Sequence, residues 1–228
     1  MKRFVHGGDM GDVIYSLPTV RALGGGELTL SPFEQYTDLS LEKISFLKPL
    51  LELQEYIIKV SVGSFVKGMI NLDLFRGEGF DLHNTNLAEM YCKTHNVKNS
   101  VIKQVWLECD TKNIYGKTVV FCRSHRYHNR GEFWFNIVRS YGDRAVFLGI
   151  RSEYDSFVKQ FGCSYIPFYK VESALELAEI INGCELFVGN QSLPYSICEG
   201  LKKRAILEVS PLCPNCCFNR TGVEYGRS

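Results

Sequence analysis

An apolar segment that runs straight into a glycine-bearing polar turn and then into a helical stripe occurs near both ends of this 228-residue chain. No other feature of the sequence restricts the fold as much. At the N-terminus, KRFVHGG reads as a short strand. In the following MGDVIYSLPTVRALGG, Val13, Ile14, Leu17, Val20 and Leu23 recur at three- and four-residue spacing, the mark of a helix with one apolar face, and Gly24 to Gly26 end it. ELTLS is a second strand, so the segment is one βαβ unit. Further along, LEKISFLKPLLELQ has helical character broken at Pro49, YIIKVSV and VIKQVWLEC read as strands, and a helix begins near Asn86.

The alternation restarts after the polar stretch TKNIYGK. TVVFCRS, RAVFLGI, ELFVGN and RAILEVS are apolar strands, with SYIPFYKV a short extended piece. Helices separate them, among them SEYDSFVKQFG, opened by Ser152 as N-cap, and SALELAEIINGC. Repeated βα alternation gives parallel sheets, because each crossover helix covers a sheet face. The expected fold class is α/β in two halves, residues 1–112 and 113–228.

Composition excludes several classes of function. Lys plus Arg is 26 against 25 for Asp plus Glu, so the net charge is +1 and lacks the basic excess of a nucleic-acid binder. Hydrophobic residues at 45% and charged residues at 22% are those of a packed globular chain. No apolar run approaches the roughly 20 residues of a transmembrane helix, and MKRFVHGGDMGD holds no secretory signal region. A cytoplasmic protein is expected, with peripheral membrane contact left open and no oligomeric state indicated. Nine cysteines without a signal sequence read as reduced core thiols. The CxxC in Cys213-Pro-Asn-Cys216-Cys217 lacks the second ligand pair of a structural zinc site, so no metal is expected.

Ligands of open α/β sheets bind beyond the carboxyl ends of the strands, so the turns there are the candidate sites. The first is His6-Gly7-Gly8-Asp9-Met10-Gly11-Asp12. Gly7, Gly8 and Gly11 allow close approach of a ligand, the helix that follows offers free amides, and Asp12 or Asp9 is either a cap or a general base. The second is Gly189-Asn190-Gln191-Ser192-Leu193-Pro194, where the helix N-terminus suits a diphosphate and Glu199, two turns on, is either a ribose ligand or a solvated carboxylate. The third is the run Arg123, Ser124, His125, Arg126, Tyr127, His128, Asn129 and Arg130, an electropositive lip fit for phosphate oxygens. Arg76, Glu78 and residues 83–91 fall on the acceptor side of such a site.

GDVIYSLPTVRAL resembles the N-terminal motif of the ADP-heptose:lipopolysaccharide heptosyltransferases, family nine of the glycosyltransferases, and FVGNQSLPYSICEGLKKRAILE resembles their C-terminal donor motif. The resemblance implies a GT-B architecture, two Rossmann-like domains facing across a cleft. It implies inverting, metal-independent transfer from a nucleotide-diphosphate sugar to the hydroxyl of a glycan or other acceptor, with no cofactor. On this resemblance Asp12 is the general base. Gly189, Asn190, Gln191, Ser192 and Leu193 stand at the family's Gly-x-Asp-Thr-Gly positions, with Gln191 replacing Asp and Leu193 replacing Gly. That departure, and a chain short for the family, leave a non-catalytic nucleotide-sugar binder as the alternative. An NAD-dependent oxidoreductase is the weaker third reading, because GxGxxG is missing and Glu27 is its sole ribose-binding candidate.

Overall fold

The structure is a computed structural model that describes residues 1–33, 39–129 and 132–226. Strand β1 (Lys2–His6) turns its apolar end inward and feeds α1 (Met10–Ala22), which buries Val13, Ile14, Leu17 and Val20. Then come β2 (Gly26–Leu30), α2 (Leu41–Glu52), β3 (Ile57–Val62), β4 (Ile70–Asn71) and α3 (Leu87–Thr94). The four strands form one parallel sheet in the order β3-β2-β1-β4.

A second sheet collects β5 (Val119–Cys122), β6 (Ala145–Leu148), β7 (Phe168–Tyr169), β8 (Leu186–Asn190), β9 (Ala205–Glu208) and β10 (Val223–Gly226). Its order is β10-β9-β8-β5-β6-β7, again parallel throughout. The crossover helices are α4 (Phe133–Tyr141), α5 (Arg151–Phe161), α6 (Ala174–Gly183) and α7 (Leu193–Gly200). Strands β5, β6, β8 and β9 are buried at every residue, as central strands covered on both faces must be.

Helix α1 packs on α7 and α2 packs on α6. One apolar core therefore runs from Phe4 and Leu28 of the first sheet to Val120 and Phe187 of the second. A separate aromatic cluster of Phe121, Trp134, Phe147 and Phe157 fills the far face of the second sheet. Among the described residues no helix is long and apolar enough to cross a membrane.

Four local expectations are corrected. Pro49 does not break α2 but lies inside it, where buried Leu47, Leu50 and Leu51 anchor the helix on both sides. VIKQVWLEC is not a strand. It begins inside a 3₁₀ turn (Asn99–Lys103), and the Trp106 and Leu107 amides donate to the Gly200 carbonyl at the end of α7. That helix end takes the donors a sheet edge would have taken. Ser152 lies within α5, and the N-cap is Ile150, whose N–H donates to the Glu153 carboxylate at 3.1 Å. The strands β4 and β10 were not expected, each being short or lightly apolar. All nine cysteines are thiols rather than disulfides, Cys216 buried and Cys213 and Cys217 half-buried. No cluster of three or more His, Cys, Asp or Glu suited to a metal ion occurs among the described residues.

Candidate active site

The turn after β1 is held by a buried polar network. His6 is fully buried, its Nδ1 accepts the Gly8 N–H at 2.8 Å, and its Nε2 lies 2.7 Å from the Tyr91 hydroxyl. With Nδ1 an acceptor, the proton sits on Nε2 and is donated to Tyr91. Burial lowers the His6 pKa, against the pull of the nearby Asp73 carboxylate, so the ring is neutral. Asp73 accepts the Gly7 N–H at 2.5 Å. Gly8 has no room for a side chain, since a Cβ there would stand 2.3 Å from Arg76 Nη2 and 2.7 Å from His6 Cε1.

Asp12 lies in the first turn of α1, with its side chain 19% exposed and Oδ2 bonded to Arg76 Nη2 at 2.5 Å. Burial raises its pKa, and the Arg76 charge and hydrogen bond oppose that shift. Asp9 occupies the N-cap without capping through its side chain, and its carboxylate meets Arg126 Nη1 of the second half at 3.3 Å. Arg126 is largely exposed and Asp9 about a third exposed, so this pair is worth about 0–1 kcal/mol, and Arg126 can exchange Asp9 for a phosphate at little cost.

The first turns of α1 and α7 touch. A Cβ on Gly11 would be 3.9 Å from the Leu193 backbone nitrogen and 3.8 Å from Ser196 Oγ. Two helix N-termini thus converge on the same seam, α7 offering there the Leu193 N–H alone, since Pro194 has none and the Tyr195 N–H donates to the Ser192 carbonyl. Asn190, at the end of β8, shapes the second half of this seam. Its Oδ1 accepts the Ser124 N–H at 2.9 Å and its Nδ2 donates to the Arg126 carbonyl, which pins the 123–126 loop beside α7.

Beside the seam opens a cleft of about 600 Å³, within the usual range of small-molecule sites. Asp9, Met10 and Gly11 contribute from the first half, and Ser124, Arg126, Ser192 and Leu193 from the second. Arg126, Arg151, Lys43 and Lys170 make it cationic, while Leu148, Ile150, Phe168, Val171 and Leu177 give it an apolar floor. The chemistry suits a planar apolar group joined to a diphosphate. Among the residues missed are Lys43, which reaches the cleft from α2, and Ile150, Arg151 and Lys170, which follow β6 and β7. A signal existed for two of them, since AVFLGIRSE repeats the strand–glycine–helix pattern of the two turns that were chosen.

Other candidates are committed elsewhere. Arg123 is buried and forks onto Glu208, Nε to Oε2 at 2.9 Å and Nη2 to Oε1 at 3.0 Å, so it presents no free guanidinium to a phosphate. Asn129 donates its N–H to the same Glu208 and its amide to the Gly226 carbonyl. His128 is exposed and its Nε2 donates to the Ser124 carbonyl at 2.5 Å, tying the loop to itself. Gly189 is buried, where a Cβ would stand 2.6 Å from the Phe187 ring and 2.8 Å from the Cys122 carbonyl, so it serves strand packing. Gln191 clamps a loop, its Oε1 accepting the Ser210 N–H and its Nε2 donating to the Cys213 carbonyl, each at 2.7 Å. Glu199 is neither a ribose ligand nor solvated: it is fully buried between Lys202 at 2.5 Å and Arg220 at 2.8 Å. Arg130 lies outside the described residues.

No family model and no curated protein matches this sequence. Solved structures do match its fold. A glycosyl transferase family 9 protein from Veillonella parvula aligns at a TM-score of 0.64 with 13% identity, over 100% of this chain and 86% of that one. E. coli heptosyltransferase WaaC, solved with ADP-2-deoxy-2-fluoro heptose, aligns at 0.60 with 12% identity, over 100% and 93% of the two chains. E. coli ADP-heptose lps heptosyltransferase II aligns at 0.63 with 12% identity, over 100% and 91%. At such identities the likeness is one of fold: an α/β arrangement of parallel sheets of the kind found in glycosyltransferases.

Proposed function

We propose that this chain is an inverting glycosyltransferase that takes a sugar from a nucleotide-diphosphate donor of the ADP-heptose kind and delivers it to an acceptor hydroxyl. In this reading residues 1–112 carry the base and the acceptor, and residues 113–228 hold the donor. The observation that carries the proposal is the meeting of the α1 and α7 N-termini at Gly11 and Leu193, with Asp12 next to Gly11 in α1 and Arg126 lining the cleft beside them. The fold likeness to heptosyltransferases supports it, one of them solved with an ADP-sugar analogue.

The nucleobase rests on the apolar floor near Phe168 and Leu177, and the diphosphate lies against Arg126 and the Leu193 N–H at the head of α7. The acceptor oxygen attacks the anomeric carbon from the face opposite the diphosphate. A carbon–oxygen bond to the acceptor forms as the bond to the phosphate oxygen breaks, and configuration inverts. The acceptor proton passes to the Asp12 carboxylate, and the electron pair of the broken bond departs on the diphosphate. The fixed Leu193 N–H and the Arg126 guanidinium, released from Asp9, stabilise that charge where it develops.

The test is a panel of ADP, UDP and GDP in calorimetry, followed by the matching sugars scored for free diphosphate. Binding of a diphosphate with release from its sugar is the expected result. Binding without release supports the non-catalytic alternative. Failure of every nucleotide diphosphate to bind would overturn both, and a response to NAD(H) alone would favour the oxidoreductase.

A further inference from the structure

A second cavity, of about 510 Å³, lies away from the cationic cleft, between residues 83–89 of the first half and 209–219 of the second. Its character is the reverse of the first. Among the described residues its lining contains no lysine or arginine; it presents His83, Asn84, Thr85, Glu89, Ser210 and Asn219. Asp81 stands just behind, accepting the His83 N–H at 2.9 Å and the Asn84 amide at 2.6 Å. The ring of Phe218 and the prolines Pro211 and Pro214 supply flat apolar surface. Dense hydrogen-bonding groups around a flat apolar wall suit a polyhydroxylated ring. The two carboxylates disfavour an anion, since like charges brought together at a binding surface repel.

Two lines of contact lead from the wall of this cavity back to α1. Asp12 and Tyr15 lie three residues apart, on one helix face and about 5 Å apart along the axis. Tyr15 stacks on Phe218, a wall residue, with ring centres 5.5 Å apart. On the other side, Arg76, bonded to Asp12, belongs to the 3₁₀ turn (Leu72–Gly77) that leads into residues 83–86. The two halves of the wall are joined where the Leu87 N–H donates to the Asn215 carbonyl at 2.9 Å. Asp12 thus follows Gly11, which lines the cationic cleft, and shares a helix face with Tyr15, which packs on the wall of the second cavity.

We propose that this second cavity is the acceptor site and that it selects a carbohydrate bearing neither phosphate nor carboxylate. The assignment rests on the glycosyltransferase reading for its role, but the binding it requires is independent of any donor. The experiment is saturation-transfer NMR of the full chain with methyl β-glucoside, methyl β-glucosaminide, methyl β-glucuronide and glucose 6-phosphate. ADP binding is measured in parallel on the same sample. The neutral and amino glycosides are expected to receive saturation and the two anions none. Glu89→Arg is expected to weaken the glucoside by about tenfold, the scale of one lost hydrogen bond to a charged group, and to admit the glucuronide, with ADP binding unchanged. His83→Ala, on an exposed loop, gives the same direction of loss if the arginine variant fails to fold. Preference for the anions, no binding of any glycoside, or glucoside binding indifferent to both variants would overturn the assignment. Loss of ADP binding alone would instead count against the proposed transferase and leave this site standing.

Discussion

Arg76 Nη2 donates to Asp12 Oδ2 at 2.5 Å while its Nε reaches Asp73 Oδ1 at 3.3 Å. One guanidinium therefore spans the carboxylate at the head of α1 and the carboxylate that holds the Gly7 amide. Burial alone would push Asp12 toward its protonated form, which cannot accept a proton, and Arg76 counters this. On the proposed mechanism Arg76 keeps the base ready.

Asp12→Asn is expected to keep nucleotide binding and to lose transfer by about 10²-fold or more, the scale of a missing general base. Steady-state kinetics beside calorimetry with the nucleotide diphosphate measures both. Unchanged kcat would remove Asp12 from the mechanism.

Removing the Arg76 charge moves the acid limb of the pH profile. Asp12 is already raised by burial, and Arg76 is the main influence holding it down. Arg76→Ala therefore shifts the acidic limb of kcat/KM to higher pH, and Arg76→Lys restores part of the shift. A limb that stays put in Arg76→Ala would show that Asp12 does not govern it.

Two arginines three residues apart are expected to give opposite phenotypes. Arg123 is paired with the fully buried Glu208, which also accepts from Trp134 Nε1 at 2.7 Å. Arg123→Met strands that carboxylate and is expected to cost about 3–5 kcal/mol of stability. Arg126, exposed and weakly paired, should be nearly neutral for stability when changed to Met, yet weaken diphosphate binding by about tenfold or more, as loss of a charge-assisted contact does. Denaturant melts and ADP titrations of both variants decide the matter; equal stabilities would contradict the burial argument.

Acid should destabilise the first half through His6. The folded-state pKa of His6 lies below the ordinary 6.5, chiefly from burial. Its neutral form therefore contributes stability that is present above about pH 6.5 and is lost as pH falls through the lowered folded value. Its surroundings, Asp73, Asp12, Arg76 and Tyr91, stay fixed if the comparison is with His6→Asn, whose amide can accept the Gly8 N–H. The difference in unfolding free energy between the two chains is expected to shrink from pH 7.5 to pH 5.5, and a constant difference would refute the assignment.

Much of the scaffold was legible because its signals are local. The stripe Val13, Ile14, Leu17 and Val20 has helical period, and all four are buried. The glycine turn ahead of it and the polar turn after FVGN mark strand ends, so Asp9, Asp12, Arg126, Ser192 and Leu193 could be placed by position alone. VIKQVWLEC misled because its apolar residues serve a helix end rather than a sheet, and no periodicity within nine residues distinguishes the two.

Charge partnerships were not legible at all. Arg123 and Arg126 are the same residue type on one loop, but Glu208 lies 85 positions from Arg123 and makes it structural. Glu199 was offered to a sugar until Arg220, 21 positions on, and the neighbouring Lys202 took it. Local spacing fixes which residues share a helix face or end a strand, because backbone geometry repeats every few residues. Whether a charged side chain is spent inside or left for a ligand depends on which distant segment folds against it. The folding of the second half on itself decided those partnerships, which join β5, β9, α7 and the segment before β10, and the packing of α1 on α7 and α2 on α6 brought together the residues that line the cavities.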